Sequence, residues 1–113
     1  MFEYLMPLIF FETVPYSMQF EVCRNAVLTQ ILAAAAEKPW GVSESGYYAF
    51  DDALRYQYRA FGNPELALAP GRMRSDVIAP YACVLALAVE PKAAAENLRL
   101  LCQIGAAGKY GLY

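Results

Sequence analysis

The chain has 113 residues, a formal net charge of −2, 58% hydrophobic residues and no histidine. That length allows one domain or part of one. The scattered basic residues Arg24, Arg55, Arg59, Arg72 and Arg74 make no surface for nucleic acid. The absence of histidine excludes a Ser-His-Asp triad, a Cys-His dyad and any His-ligated metal within these residues, and leaves acid–base chemistry to carboxylates, tyrosine or lysine.

Average chains are roughly 45–50% apolar, and a small chain has too much surface to hide a large excess alone. The chain is therefore expected to be a piece of a larger domain, or to pack against something else. Its start, "MFEYLMPLIFF", carries Glu3 and no basic n-region, so no signal peptide is expected. The longest apolar run, Val77 to Val89, spans 13 residues and contains Pro80. A bilayer-crossing helix needs ~20, so no transmembrane segment is expected. Cys23, Cys83 and Cys102 are widely spaced in apolar helical contexts and are expected to be small buried hydrophobes.

In chain order, residues 1–12 read as an apolar helix that starts or bends at Pro7. "TVPYS" is a connector, with Ser17 as N-cap of a long helix from about Met18 to Glu37. Phe20, Cys23, Val27, Ile31 and Ala34 share one face of it, and Pro39 ends it. Residues 38–77 lose helical periodicity and are punctuated by glycine and proline. Within them "YQYRAF", 56–61, alternates as a short strand does. Helices resume at Pro80, in a run apolar nearly all round, where Tyr81 and Leu85 read as core. A further helix opens at Glu90 and Pro91, with Ala94, Leu98, Leu101 and Gly105 as its apolar stripe. "GAAGKYGLY" is a glycine-rich exit. The pattern is all-α, about four helices with one long loop.

That loop concentrates aromatics and carboxylates: Trp40, Glu44, Tyr47, Tyr48, Phe50, Asp51, Asp52, Tyr56, Tyr58 and Arg59. Aromatic faces with carboxylates suit carbohydrate. Sugar rings stack their C–H faces on Trp or Tyr, and glycosidic bonds are broken by paired carboxylates. A lone Glu in a loop is more commonly a solvated charge, so the residues alone leave Glu44 open between the two. They call for no cofactor and no metal.

The stretches "MFEYLMPLIF", "PWGVSESGYYAFD", "YQYRAFG" and "VIAPYACVLALAVEPKAAAENLRLL" follow one another in an order and spacing that resembles the glycoamylase-like domain of cyclic β-1,2-glucan synthetases, a type related to endo-β-1,2-glucanases. The resemblance covers essentially all 113 residues. It implies an (α/α)6 barrel, of which residues 1–113 would be a fragment with a catalytic-type loop at about 38–77. It implies a β-1,2-linked glucan as substrate, cleaved by water or rejoined to its own end by transglycosylation. The partners it implies are that glucan and the remaining helices of the parent domain.

The same resemblance makes Glu44, within "WGVSES", the candidate catalytic carboxylate, as acid/base or as nucleophile. The alternative is a structural Glu bonded to backbone N–H groups. An acidic residue is expected directly after the stretch "KYGLY". The second carboxylate would then lie beyond Tyr113, and these residues alone would be inactive. Candidate substrate-binding residues are Glu3, Trp40, Tyr47, Tyr48, Asp51, Tyr56 and Arg59. Each has a plainer reading: Glu3 as a helix-start charge, Trp40 as core, one of Tyr47 and Tyr48 as packing, Arg59 as a clamp on a loop carboxylate. Two rival functions remain: a carbohydrate-binding or scaffolding piece without chemistry, and a helical module that docks a partner chain.

Overall fold

The computed structural model describes residues 1–46, 50–67 and 77–113. The chain is mostly helical. Helix α1 (Phe2–Leu5) tightens at Met6 into a 3-10 turn, Met6–Ile9, with Pro7 in its first positions. Helix α2 is Met18–Ala33, α3 is Pro80–Ala86 and α4 is Pro91–Gln103. A second 3-10 turn spans Pro64–Leu66. Two antiparallel pairs of two-residue strands complete the elements: β1 (Ser45–Gly46) with β2 (Tyr58–Arg59), and β3 (Ala107–Gly108) with β4 (Gly111–Leu112). This is an all-α type of arrangement without barrel closure among the described residues.

The helix starts follow the residues that open them. Ser17 accepts a hydrogen bond from the Phe20 N–H at 3.2 Å, an N-cap. Pro80 and Pro91 sit in the first turns of α3 and α4, where a missing N–H costs nothing. Glu90, the N-cap of α4, turns its carboxylate to Arg24 Nε at 2.7 Å instead and ties α4 to α2.

Helix α2 ends at Ala33, four residues short of the expected Glu37. Two buried side-chain amides explain the early stop. Gln30 accepts from the Val42 N–H at 3.1 Å and donates to the Val42 carbonyl at 2.9 Å. Asn97 accepts from the Trp40 N–H at 3.0 Å and donates to the Trp40 carbonyl at 2.9 Å. Residues 40–42 are thus held beside α2 and α4. Another turn of helix would advance the chain ~6 Å along the axis and carry them out of reach. The chain reverses through Ala34–Lys38 instead, with Glu37 at φ 64°. Alanine propensity loses to these tertiary bonds.

The core contains Met1, Leu5, Cys23, Val27 and Trp40 together with Ala79, Ala82, Ala86 and Ala94. Its alanines let α3 pack closely on α4, and both α2 and α3 contact α1. Gly41 shows how tight the join is. Its φ is +114°, and a Cβ there would meet Cys83 Sγ at 2.5 Å. Its carbonyl accepts from the Ala79 N–H at 3.0 Å, and Val42 bridges Ile78.

Three expectations need correction. The run after Pro80 is not buried all round, since Val84 and Leu87 are exposed. Tyr81 is not core but 40% exposed, because its hydroxyl bonds to the loop. Cys102 is exposed on α4, whereas Cys23 and Cys83 are buried as expected. Much of the apolar excess lies on the surface near the start, in Phe10, Phe11, Val14, Tyr16 and Met18. No helix among the described residues is long and apolar enough to cross a membrane.

Helix α4 stops in a Schellman motif. Gly105, at φ +91°, donates to the Cys102 carbonyl at 3.2 Å, and Ala106 donates to Leu101 at 3.0 Å. The exit, read from the sequence only as glycine-rich, is therefore an ordered hairpin.

Replacing Asn97 by Ala removes the clamp without overfilling the site. The Trp40 N–H is then unpaired in the core, and a loss of about 2–3 kcal/mol is expected by urea denaturation followed on the single tryptophan. Thiol labelling gives a second check. Burial pushes the Cys83 thiol up from 9.0 to about 12, against the opposing hydrogen bond from Asn97, and burial raises Cys23 as well. In the 113-residue chain, Cys102 is expected to react quickly at neutral pH and the other two only after unfolding. Because the folded Cys83 is raised, its contribution to stability is present below pH 9.0 and is lost as pH rises toward about 12.

Candidate functional site

A cleft of about 540 Å³ opens between the loop, α3 and the C-terminal hairpin. Ser45, Gly46, Phe50 and Tyr56 form one side, Pro80, Tyr81 and Val84 the second, and Leu112 and Tyr113 the third. Glycines seat two of its rings. A Cβ on Gly46 would lie 2.2 Å from the Tyr56 ring, and one on Gly108 would lie 2.5 Å from the Tyr113 ring. The rings therefore rest on bare backbone. The Tyr113 N–H donates to the Ala106 carbonyl at 3.0 Å, which folds the last residues back toward α3.

Glu44 immediately precedes the cleft residues Ser45 and Gly46, without lining the cleft itself. Its backbone carbonyl accepts from the Tyr81 hydroxyl at 2.7 Å. Its Oε2 is buried, with no hydrogen-bond partner among the described residues. An unpaired buried carboxylate oxygen is costly, so this atom is the unsatisfied acceptor beside the cleft. The Tyr81 phenol is raised by burial, against the hydrogen bond with Ser43. The charge of Glu44, then Tyr58 and Tyr56, raise it further, so it stays a donor.

The other sequence candidates scatter. Trp40 is buried in the core and lines a second cavity of about 240 Å³, with Gln30, Lys38, Asn63 and Ile78. Glu3 is exposed in the first turn of α1. Asp51 organises its own turn: it accepts from the Ala53 N–H at 3.0 Å, the Arg55 N–H at 2.8 Å and Gln57 Nε2 at 2.9 Å. Arg59 is exposed on β2, paired with Ser45, and forms no ion pair among the described residues. Tyr56 reaches the cleft. Tyr47 and Tyr48 lie outside the described residues. Among the described residues no group of three or more His, Cys, Asp or Glu is placed to hold a metal ion.

Sequence reasoning missed Ser43, Tyr81, Gln30 and Asn97. For the last two a signal existed. Gln30 lies three positions after Val27, and Asn97 three after Ala94, so each puts an amide on an apolar stripe. Ser43 and Tyr81 carried no such mark.

No protein-family model matches the chain. All of it aligns with cyclic beta-(1,2)-glucan synthase NdvB of Rhizobium meliloti (strain 1021), at 40% identity over 123 residues. This homology links the chain to that protein's family. The chain spans only 4% of that relative's length. The likeness extends to the multidomain protein as lineage, and not to any particular sub-fold within it.

Proposed function

We propose that the chain is a carbohydrate-binding piece of a larger protein of the glucan-synthase family, and that its aromatic cleft receives a β-1,2-linked glucan. The observation that carries the reading is the cleft's lining: Phe50, Tyr56, Tyr81 and Tyr113 around one opening, two of the rings seated on glycine backbone. Rigid aromatic faces with hydroxyl tips match a ligand of apolar C–H faces rimmed by hydroxyls. The homology to a glucan synthase supplies the class of sugar.

A second reading adds chemistry. The Oε2 of Glu44, buried without a hydrogen-bond partner among the described residues, favours it, because a carboxylate oxygen without a donor can take up a proton. Under this reading the domain would be glycoamylase-like, with a glycoside hydrolase or transglycosylase activity on β-1,2-glucan. Glu44 would be one of two carboxylates, the other supplied from outside these residues.

Binding of linear β-1,2-glucan by the full-length protein, followed calorimetrically, separates the readings. Tyr56→Ala removes a ring from the cleft, and Gly46→Ala puts a methyl where that ring rests. Each is expected to weaken binding about tenfold. Unchanged affinity in both variants would sink the cleft as the binding site. Glu44→Gln is expected to leave binding within about twofold and, if chemistry resides there, to lower glucan turnover by about a thousandfold.

A further inference from the structure

We infer that Tyr81 is a positioning residue for Glu44 and acts on it through the loop backbone, an inference that rests on the second reading above. A single line of hydrogen bonds joins three parts of the fold. The Phe2 N–H, at the start of α1, donates to Ser43 Oγ at 2.9 Å. Ser43 Oγ lies 3.1 Å from the Tyr81 hydroxyl, and that hydroxyl lies 2.7 Å from the Glu44 carbonyl.

The direction of this line is fixed by chemistry. A phenol has one proton, and a carbonyl can only accept. The Tyr81 proton therefore goes to the Glu44 carbonyl, and the Ser43 hydroxyl supplies the proton of the 3.1 Å bond. Each hydroxyl accepts once and donates once, so neither has a spare proton with which to let the loop shift. Ser43 is fully buried, which keeps water from substituting.

Tyr81 also has a second task. Its ring forms a T-shaped pair with that of Phe2, with centroids 5.8 Å apart and planes at 77°, and it lines the cleft beside Ser45 and Gly46. One residue thus forms the wall that a ligand would touch and holds the peptide from which the Glu44 side chain projects. A ligand seated against that ring would touch the residue that holds the Glu44 peptide. Removing the hydroxyl leaves the wall and frees the peptide.

The test uses the full-length protein turning over linear β-1,2-glucan. Tyr81→Phe is expected to lower kcat by about 10–100-fold, with KM within about twofold because the ring remains. Ser43→Ala should move kcat in the same direction. Arg24→Ala, which breaks an ion pair outside the cleft, controls for stability. It should lower Tm slightly and leave kcat and KM alone. If Glu44→Gln loses turnover while Tyr81→Phe keeps kcat within about twofold of wild type, the positioning role is wrong and the reading of Glu44 stands. If Glu44→Gln itself keeps its turnover, that reading fails and the positioning role falls with it.

Discussion

Two side-chain amides hold this structure together. Gln30 and Asn97 each offer a carbonyl and an NH₂ group to the backbone of one loop residue, as a neighbouring strand would. The segment Trp40–Val42 is thereby fixed between α2 and α4 without belonging to a strand. Asn97 Nδ2 also reaches Cys83 Sγ at 3.1 Å, which brings α3 into the same cluster. Residues 43–46 inherit their position from this anchorage, and with them the cleft wall. Buried amides are tolerated because their groups find backbone partners. Left unpaired, each would cost more than the apolar packing around it returns.

The helices were legible where local chemistry decides them. Ser17, Pro80 and Pro91 mark starts that the structure keeps, and the apolar stripe of α2 faces the core through Cys23 and Val27. Legibility fails where distant bonds override propensity. The alanines before Glu37 favour helix, yet the clamp on residues 40–42 requires a reversal. Tyr81 sits in a run that reads as core, but one hydroxyl bond to a residue 37 positions away turns it to the cleft. Hydropathy carries no information about such pairings. The expected stripe of α4 runs through Leu98 and Gly105, whereas the residues it buries are Ala94, Asn97 and Leu101, and Gly105 is exposed beyond the helix end.

The candidate site was partly legible for the same reason. The density of aromatics and carboxylates in residues 38–61 located the loop. It could not sort its members. Asp51 is occupied by three donors of its own turn, and Trp40 belongs to the core. Glu44 differs from Asp51 in one respect that no pattern encodes: one of its oxygens is buried and has no hydrogen-bond partner among the described residues. The hairpin that brings Tyr113 to the cleft depends on Gly105 ending α4 in a left-handed residue. A glycine count suggests a loop there, whereas the geometry makes a defined return.

The alanines at the join of α3 and α4 have an evolutionary consequence. Ala79, Ala82, Ala86 and Ala94 are all fully buried. A core of leucines can drift in either direction, shrinking to leave holes or exchanging shapes. This one has almost nothing to lose by truncation and no space to grow. Its tolerance is one-sided: substitutions at these positions overfill, pushing the helices apart and tilting the loop hung from Asn97. Variation among descendants of this sequence should therefore be bounded by volume from above at the helix join, while the outer face of α2 is left free to change.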